Sequence, residues 1–179
     1  MINPQNLNIV SNFITASIIL TVLIEVWETT RPMKVNGKGL LLLLGDAHFF
    51  GAVPWIIYVF IIRKASIMEI VLPVAIGAIL AVPLILSTKF VLTEKGALKF
   101  KRNPVLYLFL LGIPFLRKYV GFTWFFNQNP VFIPNTHIPD VELMIVMYIT
   151  VIVVNIYVWR LVSYLKFRRV KREYLNLNK

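Results

Sequence analysis

The chain has 179 residues, a hydrophobic content of 58% and a mean hydropathy of +0.75, which is too apolar for an ordinary soluble domain of this size. It contains no cysteine, and this excludes disulfides, thiolate metal sites and a cysteine nucleophile. A net charge of +11 would suggest nucleic-acid binding in a soluble protein. In a membrane protein, basic cytoplasmic loops explain it, so no nucleic-acid partner is expected.

Five apolar segments follow one another along the chain. Each is close to the ~20 helical residues that cross the hydrocarbon of a bilayer. The sequence therefore predicts an all-α integral membrane protein, a five-transmembrane-helix bundle forming a single membrane domain over residues 1–179. The predicted helices cover about residues 9–27, 39–62, 67–86, 104–122 and 141–165.

The basic residues are distributed unevenly between the two sides of this bundle. Fifteen of the 19 Lys and Arg residues fall after the first helix, after the third, or in the fifth helix and its tail. The other four are Arg63, Lys64, Arg117 and Lys118. Cytoplasmic loops carry the excess of Lys and Arg, so we expect the N-terminus outside and the C-terminus inside. The protein is then a multi-pass protein of a bacterial inner or plasma membrane.

Three connecting segments have a character of their own. Residues 90–101 alternate apolar and polar side chains around a glycine-containing turn, which predicts a small cytoplasmic β-hairpin. Residues 123–140 are rich in proline and aromatic side chains and are predicted to form an outer interfacial loop. Residues 166–179 form a basic cytoplasmic tail, expected to attract anionic lipids. Its predicted contacts to lipid head groups are Lys166, Arg168, Arg169, Lys171 and Arg172.

Polar residues at membrane depth are costly, so they are the best candidates for a functional site. They are Glu25, Asp46, His48, Asn155 and Arg160. The simplest interpretation is that Asp46 and Arg160 form a structural ion pair at matched depth, and the alternative is a proton or ligand site. His48 follows Asp46 by two residues, so the two do not share a helix face. No catalytic motif, metal site or cofactor site is predicted.

Glycines within the apolar segments are typical of close contacts between helices. We therefore expect Gly45, Gly51 and Gly77 to lie where two helices approach each other. Prolines in the second, third and fourth segments predict kinks, and broken helices also occur at transport sites.

The order of these parts resembles the small bacterial CcdC-like membrane proteins. The resemblance is carried by Arg31-Pro32 after the first helix, by Gly39-Leu40-Leu41-Leu42 opening the second, and by STKFVLTEKGALKFKRNPVLYLFLLGIPFLRKY at residues 87–119. It implies a link to cytochrome c maturation. This chain has no cysteine for thiol exchange and no CxxCH haem site, which argues against direct redox chemistry.

Three functions are compatible with the sequence. The leading hypothesis is a non-enzymatic accessory protein that supports or regulates a partner membrane complex, because no catalytic constellation accompanies the basic cytoplasmic face. The alternatives are a small transporter or transporter subunit, and a membrane enzyme acting on lipid or isoprenoid head groups. A water-filled pocket lined by Asp46 and Arg160 would favour the alternatives.

Overall fold

The computed structural model describes residues 4–34, 38–39, 51–93, 95, 97–116, 131–133, 137 and 140–177. The helices of this part of the chain are α1 (Pro4–Thr30), α2 (Ala52–Ile62), α3 (Ile67–Ser87), α4 (Pro104–Leu116) and α5 (Val141–Leu177). The strands are β1 (Met33–Lys34), β2 (Phe90–Leu92) and β3 (Ala97–Phe100). The protein is thus mostly helical with one small sheet.

Two of the described helices, α3 and α5, are long and apolar enough to cross a membrane. The 21 residues of α3 begin at a capping box, in which Ser66 and Glu69 each bind the other's backbone amide. Pro73 and Pro83 lie inside α3 without ending it. The 37 residues of α5 continue about 18 Å beyond Leu165, where the sequence places the end of the fifth span.

The helices α3 and α5 pack directly against each other, and Gly77 marks their closest approach. A Cβ atom added to Gly77 would lie 2.7 Å from the backbone oxygen of Val151 and 2.9 Å from Cβ of Val154. The expected close contact at Gly77 is therefore present. At Gly51 the structure shows no such contact among the described residues, because a Cβ atom there would meet none of them within 4 Å.

The antiparallel pairing expected in residues 90–101 is present. In β2 and β3, Phe90 pairs with Phe100 and Leu92 with Leu98. The sheet has a third strand that the sequence does not predict, because β1 adds two residues to the other side of β3, giving the order β1-β3-β2. A strand of two residues is too short to show the alternation that identifies strands in a sequence.

Other segments differ in length from the expected ones. The first helix is longer than residues 9–27 at both ends. Gly39, where the second segment was expected to begin, has a φ of +64° and is not helical. Residues 40–50 of that segment lie outside the described residues, as do 117–130, which include the end of the fourth predicted helix and much of the outer loop.

Candidate functional site at the basic end of the bundle

The end of α1, the end of α3, the start of α4 and the second half of α5 meet the sheet around one apolar core. The buried members are Ala81, Leu84, Leu98, Phe100, Leu106, Trp159 and Phe167. The sheet contributes Leu98 and Phe100, whose side chains point to the same face of β3 because alternate residues share a face. The sheet is therefore anchored to the helices and does not stand alone as an isolated hairpin.

Buried hydrogen bonds join α5 to the end of α3 at this core. The Trp159 indole nitrogen donates to Oγ1 of Thr88 at 2.8 Å, and that hydroxyl donates to the carbonyl of Leu84 at 2.7 Å. Two turns further along α5, the Lys166 ammonium donates to the carbonyls of Ile85 and Thr88. A cation at the C-terminus of a helix satisfies free carbonyls and complements the helix dipole. Lys166 is consequently engaged within the protein.

At this end, exposed apolar side chains of all four helices are followed or preceded by an exposed cation within three or four residues of the chain. Trp27 is followed by Arg31, Leu86 by Lys89, and Leu165 by Arg168, while Arg102 precedes Val105. The Arg31 guanidinium also lies over the ring of Trp27, 3.5 Å from its centroid. This sequence of side chains on helix surfaces is typical of the boundary between hydrocarbon and head groups.

The outer face of the sheet carries four lysines. Residues of β2 and β3 alternate between the core and the outside, and the backbone amide of Lys101 donates to the carbonyl of Lys89 at 2.7 Å. This places Lys89 and Lys101 opposite each other, beside the pair formed by Val91 and Lys99. Lys34 pairs with Ala97 on the same face. We call Lys34, Lys89, Lys99 and Lys101 the lysine face.

The opposite end of the bundle has a mixed charge cluster. Arg63, after α2, forms a hydrogen-bonded ion pair with Glu142 and lies 3.7 Å from a carboxylate oxygen of Asp140. The hydrogen bond with Glu142, followed by the charge of Asp140, raises the pKa of Arg63 above its ordinary value. Asp140 also caps α5 by accepting from the amide of Leu143 at 3.1 Å. The cluster ties the α2–α3 turn to the start of α5.

Three of the five residues of the predicted polar site are described. Glu25 on α1 and Asn155 and Arg160 on α5 are all buried, and Arg160 is only 2% exposed. Asp46 and His48 lie outside the described residues, so the pairing of Asp46 with Arg160 stays a prediction.

The five predicted head-group residues are not equivalent. Arg168, Arg169 and Arg172 are exposed on the outer side of α5, whereas Lys166 and Lys171 are half-buried. Of the five, Arg169 also pairs with Glu173 one turn away, at 3.2 Å.

Sequence reasoning missed the Trp159–Thr88 bond and the lysine face. The bond joins residues 71 positions apart, and nothing in the sequence around either one indicates the other. The lysine face had a visible signal, since Lys99 and Lys101 are two residues apart in a predicted strand and so share a face. Within the described ranges, no group of three or more His, Asp or Glu side chains comes together to hold a metal ion.

The family relationship of the chain extends over nearly its whole length. The sequence model of the CcdC protein family matches residues 8–173, a range that includes every element of the basic end. No curated protein and no solved structure matches the chain. Because the family match covers far more than half of the residues, the resemblance seen in the sequence is confirmed, and the chain belongs to the CcdC protein family.

Proposed function

We propose that this protein is a multi-pass membrane protein that supports or regulates a partner membrane complex, and that its basic end makes the contact. One observation carries the proposal. Four helices and a sheet join in a single apolar core, and they present cations outward at the same level. In the described residues these cations surround no acidic cluster that would suggest chemistry. A firmly anchored, outward-facing charged surface suits binding better than catalysis.

The proposal includes the five-span topology, with the N-terminus outside and the C-terminus in the cytoplasm. The change from apolar side chains to cations at one end of α1, α3, α4 and α5 supports it. Arg63 and Lys64 lie at the other end of α3, which is about 30 Å long at 1.5 Å per residue over its 21 residues. The two ends thus differ in charge as the positive-inside rule requires.

Reporter fusions test the topology. A fluorescent reporter that folds only in the cytoplasm should be active after Lys101 and after Lys179. A phosphatase that works only outside the cytoplasm should be active after Lys64. Phosphatase activity at Lys179 would overturn the orientation, and phosphatase activity after Lys101 would overturn the placement of the sheet.

The accessory role is tested separately by purification in mild detergent after crosslinking in the native membrane. We expect a defined membrane protein to co-purify in constant ratio with the wild-type chain. Its recovery should fall in the variant Lys34→Gln/Lys99→Gln and stay unchanged in Lys64→Gln, the control at the opposite end. Repeated recovery of the chain alone, under conditions where its own copies crosslink, would overturn the proposal.

The two alternatives depend on other features. The transporter hypothesis rests on prolines within helices, and α3 remains continuous through Pro73 and Pro83. The head-group enzyme hypothesis rests on Asp46 with a cationic rim. Full retention of cellular function in Asp46→Asn would count against the enzyme, whereas loss of function without loss of the partner would favour it.

A further inference from the structure

We propose that the lysine face binds an acidic, extended segment of the partner protein on the cytoplasmic side of the membrane. This inference rests on the proposed function and identifies the chemistry of its contact. The surface is formed by one face of a three-stranded sheet, and its four lysines come from all three strands or the residues next to them.

The arrangement of the lysines carries an electrostatic cost. Lys89 and Lys101 are directly opposite each other across the β2–β3 pair, and like charges in that position destabilise a sheet. Lys99 is a diagonal neighbour of Lys89 on the same face. In the described part of the chain, none of the four lysines of the face forms an ion pair with a carboxylate. An anionic ligand would relieve this repulsion.

The extent of the face favours a protein segment over a lipid surface. The strand β1 follows α1, β2 follows α3 and β3 precedes α4, so each strand adjoins the end of a helix in sequence. Lys89 and Lys101 are within three residues of the ends of α3 and α4, whereas Lys34 lies beside Ala97, four residues before Lys101. At 3.3 Å per residue the face extends about 13 Å. In the proposed arrangement the sheet extends away from the bilayer, and its length then exceeds the Debye length of about 8 Å, over which the attraction of anionic lipids decays.

The face also has an apolar component. Val91 lies on the same side as the lysines, opposite Lys99, and is 39% exposed. A fitting segment would place carboxylates against the lysines and an apolar side chain against Val91. An extended segment matches the spacing because its own side chains alternate with the same period as those of the sheet.

The test uses the full chain in nanodiscs of neutral phosphatidylcholine and a fluorescent oligoglutamate peptide as the probe. Two variants remove the same number of charges from different places. Lys34→Gln/Lys99→Gln removes them from the lysine face, and Arg168→Gln/Arg172→Gln removes them from the exposed face of α5. Because the two variants have the same net charge, a difference in their affinity for the peptide depends only on where the charges were removed.

We expect the lysine-face variant to bind the peptide about tenfold more weakly than wild type, from two lost charge pairs. The α5 variant should lose less than about twofold. Equal losses in both variants would overturn the proposal, since the peptide would then sense only net charge. Wild-type binding that disappears in nanodiscs containing phosphatidylglycerol would also overturn it, because lipid would then hold the face.

A second measurement does not depend on the fold of the glutamine variants. A photoreactive residue in place of Lys99 should crosslink to the peptide, and one in place of Arg169 should not. Crosslinking at Arg169 alone would place the peptide on α5 and refute the lysine face. If these tests fail while the membrane partner still co-purifies, the lysine face is not the binding site, and the accessory role remains supported. If the peptide binds the lysine face as expected but no membrane protein co-purifies with the chain, the accessory role is contradicted.

Discussion

The close approach of α3 and α5 at Gly77 allows a sharp prediction for Gly77→Ala. The new Cβ would lie 2.7 Å from the backbone oxygen of Val151, whereas an ordinary contact begins at 3.4 Å, so the helices must separate by about 0.7 Å locally. Val154 cannot rotate away, because its β-branched side chain has essentially one rotamer in a helix. Overpacking of this kind costs about 1–3 kcal/mol.

Gly112→Ala in α4 is the matched control, since a Cβ atom there would meet none of the described residues within 4 Å. Both substitutions replace a helical glycine by alanine and bring the same gain in helix propensity, about 1 kcal/mol. The difference between them therefore isolates the contact. We expect Gly77→Ala to unfold about 2–12 °C below Gly112→Ala, at 2–4 °C per kcal/mol for a chain of this size.

The measurement is thermal unfolding of the purified protein in one detergent, followed by loss of monodispersity and of helical signal. Equal unfolding temperatures for Gly77→Ala and Gly112→Ala would refute the reasoning, because α3 and α5 would then not be in rigid contact at this point. A larger residue should magnify the effect, so Gly77→Leu should be more destabilising than Gly77→Ala.

Three further predictions concern the polar contacts of α5. Trp159→Phe removes the donor to Thr88, and we expect a loss of about 0.5–1.5 kcal/mol in unfolding free energy, measured by denaturant titration, because the buried Thr88 hydroxyl loses this hydrogen bond and keeps the one it donates to Leu84. Lys166→Met keeps the aliphatic stem but removes the bonds to the end of α3, with an expected loss of about 1–2 kcal/mol by the same assay. Asp46→Asn and Arg160→Gln should each cost about 3–5 kcal/mol if the two residues form a buried pair, and a double-mutant cycle should show coupling.

Each of these predictions has a contradicting result. Trp55→Phe, at an exposed tryptophan on α2, and Arg168→Met, at an exposed arginine on α5, are the controls for the first two. Losses in the controls as large as in Trp159→Phe or Lys166→Met would show that the named hydrogen bonds are not responsible. Strictly additive losses for the last pair would show two independent sites.

The parts of the fold that could be predicted are those specified by local sequence. The third helix is evident from its apolar run, and its predicted bounds of about residues 67–86 agree with the observed Ile67–Ser87. The β2–β3 pair is evident from alternation, which places Leu98 and Phe100 inward and Lys99 outward. In both cases the physical cause lies within a few residues.

The parts that could not be predicted depend on contacts between distant residues. The strand β1 forms because β3 offers a free edge beside the end of α1, not because Met33 and Lys34 favour a strand. The extension of α5 is stabilised by Phe167, buried between the helix and the sheet. The sequence of α5 becomes charged after Leu165. Hydropathy indicates where a membrane span ends, but it does not indicate where the helix itself ends. For the candidate site, the sequence indicates which residues are polar at depth but not their partners.

The continuity of α5 has a mechanical consequence. Its 37 residues make a rod of about 55 Å, with no proline or glycine at which it would bend. The buried Arg160 and the sheet-bound Phe167 lie on this same rod, seven residues apart. A torque applied to the sheet by a docked segment would therefore turn or tilt α5 as one body and reach the polar residues at membrane depth. Under the proposed topology, α5 would therefore transmit an event at the sheet to the buried residues of the membrane-spanning part of the helix.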